Sequence, residues 1–130
     1  MNIIDKSSYS ILLVDDDSVC NFITKTHLHQ HGFDAVSIVE NGKEAFDYVT
    51  KNEPPNLIFL DLNMPIMDGF EFLEELMDTS ACPNTDILIL TSSAKTDDVQ
   101  VANSYDNVVA YLEKPLTEAK VTNVVENIMR

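Results

Sequence analysis

Positive charge is scarce in this chain. Eight Lys and Arg stand against 22 Asp and Glu, which leaves a formal net charge of −14. So acidic a chain lacks the basic surface that phosphate backbones require, which argues against nucleic acid as a direct partner. Cysteine is sparse too. Cys20 and Cys82 have no metal-binding spacing and fit reduced thiols better than a disulfide framework. Long apolar runs are missing: none approaches the roughly 18 residues of a membrane span. The polar start Met1-Asn2-Ile3-Ile4-Asp5-Lys6 is no signal peptide. A cytoplasmic location without membrane contact is therefore expected. There is no internal repeat, low-complexity segment or Gly/Ser linker, and 130 residues suit one domain with its own core.

Short apolar runs alternate with amphipathic stretches along the chain. Ile11–Val14 reads as a strand, followed by Ser18 as N-cap and a helix carrying Val19, Phe22, Ile23 and Leu28, closed by Gly32. Ala35–Val39 is a second strand. Asn41-Gly42 opens a helix with Ala45, Phe46 and Val49 on one face, ended by Asn52 and Pro54-Pro55. Leu57–Leu60 is a buried central strand, and Phe70, Phe72, Leu73, Leu76 and Met77 mark a third helix. Asp86–Leu90 is a strand, and Thr96 or Asp97 caps a helix with Val99, Val101 and Ala102. Val108–Leu112 is the last strand, and Thr117 starts a helix with Val121, Val124, Val125 and Ile128 inward. Five strand–helix units imply an α/β fold, a doubly wound parallel sheet with helices on both faces. The flavodoxin-like strand order 2-1-3-4-5, which belongs to that fold class, sets the first and third strands side by side.

The chemistry sits at the carboxyl ends of the strands, where such sheets bind ligands. The first strand ends in Asp15-Asp16-Asp17, the third in Asp61, the fourth in Thr91 and the fifth in Lys114-Pro115. Adjacent strands would make Asp15, Asp16 and Asp61 converge. Carboxylates a few ångströms apart repel by roughly 4 kcal/mol per close pair at an effective dielectric near 20. An arrangement of that kind calls for a divalent cation, and an all-oxygen donor set suits Mg²⁺ or Mn²⁺. Magnesium bound this way is complemented by phosphate, and a carboxylate can act as nucleophile towards a phosphoryl group. Lys114 would contact the transferred oxygens and the Thr91 hydroxyl could donate to one of them. Duller roles exist for each residue: Asp15–Asp17 as helix caps, Asp61 as a turn former, Lys114 and Thr91 as plain strand ends, Tyr111 as a half-buried aromatic. His27 and His31 are four apart on the first helix, a spacing that can bind metal, but a histidine beside the Gly32 cap also suits the helix dipole.

The segments ILLVDDDS, LIFLDLNMPIMDG, LILTSS and YLEKPL resemble, in order and spacing, the receiver domain of two-component response regulators. The resemblance runs from about Ile11 to the end of the chain. It implies a stand-alone receiver of the chemotaxis-regulator kind, one domain over residues 1–130 with no output domain. By the resemblance, Asp61 is the phospho-accepting residue. Asp16 is a direct magnesium ligand, Asp15 acts largely through water, and the backbone carbonyl of Asn63 completes the protein ligands. Thr91 and Tyr111 match a switch pair, and Lys114 matches a phosphate-contacting lysine whose bond to Pro115 is cis. Asp17 lies one past the acidic pair and, with Ser18, looks like a cap. Asn63 and Ser93 are the side chains expected to tune the lifetime of the adduct.

A phosphorylation-controlled switch served by a histidine kinase or phosphotransfer protein is the implied function, with no enzymatic activity beyond its own phosphorylation and dephosphorylation. The output surface would be the fourth helix, fifth strand and fifth helix, from about Thr96 to Arg130, read by a separate protein. Acids such as Asp97, Asp98, Glu113, Glu118 and Glu126 dominate that face, so a monomer with a basic or apolar partner is expected. Two alternatives differ in class. A magnesium phosphohydrolase of the haloacid dehalogenase type shares the residue kit, but has a second Asp where Asn63 stands, an acid pair after its nucleophile, and a larger chain. A receiver-shaped scaffold that is never phosphorylated would not need every chemical position filled.

Overall fold

The computed structural model describes residues 5–92 and 96–129, and the side chains of residues 98–129 within the second stretch. Ten elements alternate: β1 (Ile11–Val14), α1 (Ser18–Gln30), β2 (Val36–Val39), α2 (Gly42–Lys51), β3 (Leu57–Leu60), α3 (Gly69–Thr79), β4 (Asp86–Thr91), α4 (Thr96–Asn103), β5 (Val108–Glu113) and α5 (Glu118–Asn127). The strands form one parallel sheet in the order β2-β1-β3-β4-β5. This is the flavodoxin-like architecture that the alternating pattern implies.

The period of two along a strand divides the core. Leu12, Val14, Ile58, Leu60, Ile87 and Ile89 face one side, with Ala45, Val49, Phe72, Leu73, Leu76 and Ala102 from α2, α3 and α4. Ile11, Leu13, Leu57, Phe59, Leu88 and Leu90 face the other, with Leu28, Val121 and Val124 from α1 and α5. β1 and β3 are buried at every position, as strands covered on both faces should be. Among the described residues no helix is long and apolar enough to cross a membrane.

Helix ends follow local chemistry. Asn41 caps α2 by accepting from the Glu44 amide, and Asp68 with Glu71 forms a capping box on α3. Gly32 follows α1 with φ +93°. The Phe33 amide reaches back to the Leu28 carbonyl at 3.0 Å and the Gly32 amide to that of His29 at 2.9 Å, a Schellman ending sealed by the buried Leu28 and Phe33.

Two readings of α1 need correction. Its N-cap is Asp17, whose carboxylate accepts from the Val19 and Cys20 amides at 3.0 and 3.1 Å, while Ser18 is the first helical residue. An ionised side chain one position earlier reaches both orphan amides and meets the helix dipole, which Ser18 could not do from inside the first turn. Of the apolar residues Val19, Phe22, Ile23 and Leu28, only Leu28 is fully buried on the inner face. Val19 and Phe22 are 66% and 72% exposed, whereas Asn21, Thr24 and Leu28 are buried. The reason lies in what α1 packs against. α4 begins at Thr96, and the side chains of its expected caps, Thr96 and Asp97, lie outside the described residues.

Candidate functional site

Strand register builds the site. Val14 pairs with Leu60 in the parallel β1–β3 ladder, so the next residues, Asp15 and Asp61, emerge side by side. Their backbones remain tied to the sheet, with the Asp61 amide on the Val14 carbonyl at 2.9 Å and the Asp15 amide on that of Val39 at 3.1 Å. Both side chains are buried and Asp16 is exposed. One carboxylate oxygen from each of the three lies within 4.8 Å of the others. β4 delivers Thr91, fully buried, at its end. Beyond β5, the Lys114 amide bonds to the Thr91 carbonyl at 2.9 Å. That turn carries its ammonium over the sheet edge to 2.7 Å from Asp15 Oδ2 and 3.5 Å from Asp61 Oδ2. The Lys114–Pro115 bond is cis.

The loops hold this arrangement. Asp15 accepts from the Asp17 amide at 2.9 Å, and the Asn21 amide side chain donates to the Asp15 carbonyl at 2.9 Å. The Asn63 amide lies 3.4 Å from Asp61 Oδ1. Gly69 must be glycine: a Cβ there would stand 2.5 Å from the Asp61 carbonyl oxygen.

Burial, and then the negative charge of Asp15, push the Asp61 carboxyl above its ordinary range; Lys114, the Asn63 amide and the Thr91 hydroxyl oppose this without cancelling it. Burial by itself would lower the Lys114 pKa, but the hydrogen bond to Asp15 and the charges of Asp15 and Asp61 outweigh it, so the net shift is upward. Three acids and one lysine leave an excess of negative charge in a partly buried place. The donor set is all oxygen, and its shortfall is a cation. Hard divalent ions of the magnesium and manganese class fit it. Among the described residues, this is the one group of three metal-capable side chains so placed.

Asp15, Asp16, Asp61, Thr91 and Lys114 are thus brought together. Tyr111 is half-buried on β5, its phenol pushed up by burial and then by Asp98, Glu113 and Asp61. Asn63 contributes its amide beside Asp61. Ser93 lies outside the described residues. His27 and His31 belong to no such group, and His27 Nδ1 is buried without a hydrogen-bond partner. The sequence reading missed the wall behind the acids, a small cavity shared by Cys20, Asn21 and Thr24 with Asp15 and Asp61. Burial there pushes the Cys20 thiol up to about 11, with Lys114 pulling it down and Asp15 adding to the rise. Thr24 Oγ1 is near enough to influence that thiol but makes no well-formed hydrogen bond. The polar spacing at 21 and 24, opposite an apolar stripe, was the available signal.

A parallel sheet with an acid cluster at its switch point and a lysine over it defines a class of phosphoryl-handling α/β proteins. The family follows from comparison: the sequence model described as the response regulator receiver domain matches residues 11–126, and the chain belongs to that family. It is 31% identical over 119 residues to a chemotaxis protein CheY homolog of Campylobacter jejuni, covering 92% of this chain and 91% of that one. It is 31% identical over 122 residues to a probable transcriptional regulator, ycf29, of Porphyra purpurea, covering 94% of this chain but only 57% of the relative. The crystal structure of a CheY-like response regulator receiver domain protein from Methanospirillum hungatei superposes with a TM-score of 0.82 at 26% identity, covering 95% of this chain and 94% of that one. Receiver domains are signalling switches that bind Mg²⁺ at an acidic pocket and work with histidine kinases or phosphotransfer proteins. Family membership sets the phosphohydrolase alternative aside.

Proposed function

We propose that this chain is a phosphorylation-controlled switch whose acceptor is Asp61, phosphorylated by a histidine kinase or phosphotransfer protein. The observation that carries this is the placement of Lys114, 2.7 Å from Asp15 and 3.5 Å from Asp61, over three carboxylates at the edge of β1 and β3. Asp15, Asp16, Asp61 and the Asn63 backbone carbonyl would hold Mg²⁺, with Mn²⁺ as a substitute. The ion supplies charge that neutralises the acids and the incoming phosphoryl oxygens.

An Asp61 oxygen attacks phosphorus, the donor's N–P bond breaks, and an aspartyl phosphate forms. Lys114 then exchanges its contact with Asp61 for one with a phosphoryl oxygen, and the Thr91 hydroxyl, close enough to the Asp61 carboxyl to lower its pKa, turns to another. These are positioning and charge effects, the main sources of phosphoryl-transfer catalysis. Movement of Thr91 opens space towards which Tyr111 can shift, a two-state change of a packed element. A separate downstream protein reads α4, β5 and α5. The chain works in the cytoplasm as a monomer, its receiver domain is the switch, and it is not an enzyme in its own right. With Asn63 beside Asp61 and no carboxylate at that position to orient an attacking water, slow-to-moderate self-hydrolysis is expected.

Intact-mass measurement after incubation with acetyl phosphate and magnesium tests the acceptor. Wild type should gain one phosphoryl group as an acid-stable, base-labile adduct, and Asp61→Asn should gain none. A mass gain that survives Asp61→Asn refutes the assignment.

A further inference from the structure

The loop between β3 and α3 contains a backbone outlier. Ile66 has φ +70°, and the Met67 amide donates across it to the Pro65 carbonyl at 2.8 Å. That closes a three-residue γ-turn in its rare, strained form. For a β-branched residue the positive φ is further disfavoured by its own Cβ. The surroundings impose the turn: the Gly42 amide bonds to the Met67 carbonyl at 2.8 Å, and the Gly69 amide to that of Leu62 at 3.1 Å. Glycine or asparagine would meet the same backbone requirement with less strain. Nor does the isoleucine side chain gain from burial, since it is 77% exposed. Within the isolated chain, both backbone and side chain are unfavourable at this position.

The turn's position suggests what uses it. Asp61 is 5% exposed, and transfer requires reacting atoms about 3–3.5 Å apart. A phosphoryl group carried on a histidine side chain can reach so recessed an acceptor only if the donor's surface settles on the rim around it. The β3–α3 loop, which leads directly from Asp61 through Ile66, is part of that rim. The start of α1, which follows Asp15 and carries Val19 and Phe22 outward, is another part.

We propose that Ile66 is a specificity-determining contact for the protein that delivers the phosphoryl group. Its side chain is covered by an apolar patch beside the donor's phosphohistidine, and that burial offsets the strain of the turn in the complex alone. Strain kept at a functional site rather than relieved by substitution is the pattern expected of such a residue. This rests on Asp61 being the acceptor.

The test compares the full chain with Ile66→Asn and Ile66→Leu, using two donors: acetyl phosphate, and a phosphorylated histidine-kinase core. Ile66→Asn should melt roughly 3 °C higher, because asparagine tolerates the turn. It should accept phosphoryl from acetyl phosphate at the wild-type rate but from the kinase about tenfold more slowly, as expected when part of an isoleucine's burial is lost. Ile66→Leu, which keeps the apolar area, should stay within about threefold of wild type with the kinase. Wild-type transfer from the kinase to Ile66→Asn overturns the proposal, as does an equal loss with both donors, which would mean a distorted site. Loss of a dimer in Ile66→Asn would assign the side chain to a second copy of the chain, also overturning it. If neither donor labels Asp61 in wild type, the acceptor reading itself fails.

Discussion

Replacing Asp16 with asparagine should stabilise the metal-free protein and remove most of its response to magnesium. The Asp16 oxygen lies within 4.8 Å of an oxygen on Asp15 and one on Asp61. Unit charges about 4.8 Å apart repel by about 3.5 kcal/mol at an effective dielectric of 20, and by about 0.9 kcal/mol in bulk water. Asp16 is exposed, so the lower figure governs. Lys114, 2.7 Å from Asp15 and 3.5 Å from Asp61, cancels part of what is left. Two partly offset repulsions then amount to about 1 kcal/mol. Against this stands the helix dipole: Asp16 immediately precedes the α1 cap, and a carboxylate there contributes about 0.3–1 kcal/mol, near the low end when exposed. Repulsion wins by roughly 0.5 kcal/mol, which raises the melting temperature by about 2 °C in a chain of this size.

Magnesium should act in the opposite direction on the two proteins' ranking. At ten times its dissociation constant a ligand stabilises the folded state by about 1.4 kcal/mol, roughly 4–6 °C here. Wild type should show that gain and Asp16→Asn much less of it at the same concentration, so the order of stability inverts across the titration. Calorimetry in low-salt buffer is the appropriate assay. Raising ionic strength should shrink the asparagine variant's metal-free advantage, because exposed charges are screened over about 10 Å at 0.1 M salt. Equal magnesium stabilisation of both proteins would refute the reasoning and place the ion elsewhere.

Two further outcomes follow from the structure. With its thiol pushed up to about 11, only about one Cys20 side chain in a thousand is ionised at pH 8, so alkylation should run roughly a hundredfold slower than in unfolded chain. The rate should rise about tenfold per pH unit below pH 11, and peptide mapping that finds unfolded-like labelling at pH 8 would refute the buried placement. On the α4–β5–α5 face, Lys114 is held in the site and Lys120 Nζ donates to the Glu113 and Pro115 carbonyls at 2.6 and 3.2 Å. With its lysines engaged, this acidic face lacks a complement for itself; light scattering with magnesium and beryllofluoride should give a monomer mass, and a tight dimer through this face would overturn that.

The sheet was legible because its two signals agree. Fully apolar runs such as Leu57–Leu60 mark strands covered on both sides, and each ends at a residue whose chemistry differs from the run. Register then did the rest: once β1 and β3 are neighbours, Asp15 and Asp61 must meet. Lys114 could be placed at the site from its position at a strand end, but its 2.7 Å approach to Asp15 was not legible, because that depends on how the chain turns after β5. The cap on α1 was narrowed to Asp17 or Ser18, both good caps, and only backbone dihedrals choose Asp17 between them. The strain at Ile66 was invisible. Nothing in Met64-Pro65-Ile66-Met67 announces a positive φ, since the residue types that ordinarily mark one are glycine and asparagine.

The inverted face of α1 has a physical origin in the site. Its inner residues pack behind Asp15 and Asp61, where an apolar lining would leave the Asp15 carbonyl without the Asn21 donor at 2.9 Å. Burial of an unpaired carbonyl is unfavourable by about 1–3 kcal/mol, comparable to what burying a valine or isoleucine side chain contributes. In the first two turns of α1, Asn21 and Thr24 therefore take the inside, and Val19 and Phe22 are left in solvent. Local pattern and global fold disagree in this way at few positions, and such disagreements gather where a protein acts. Two of them, at α1 and at Ile66, fall in the segments that follow Asp15 and Asp61, while the positive φ of Ser80 and Cys82 lies between α3 and β4. Ser80 has a local cause, since it closes α3 as a left-handed C-cap; the exposed apolar residues of α1 and Ile66 have no such local cause, and a partner that covers the rim around the acceptor accounts for both.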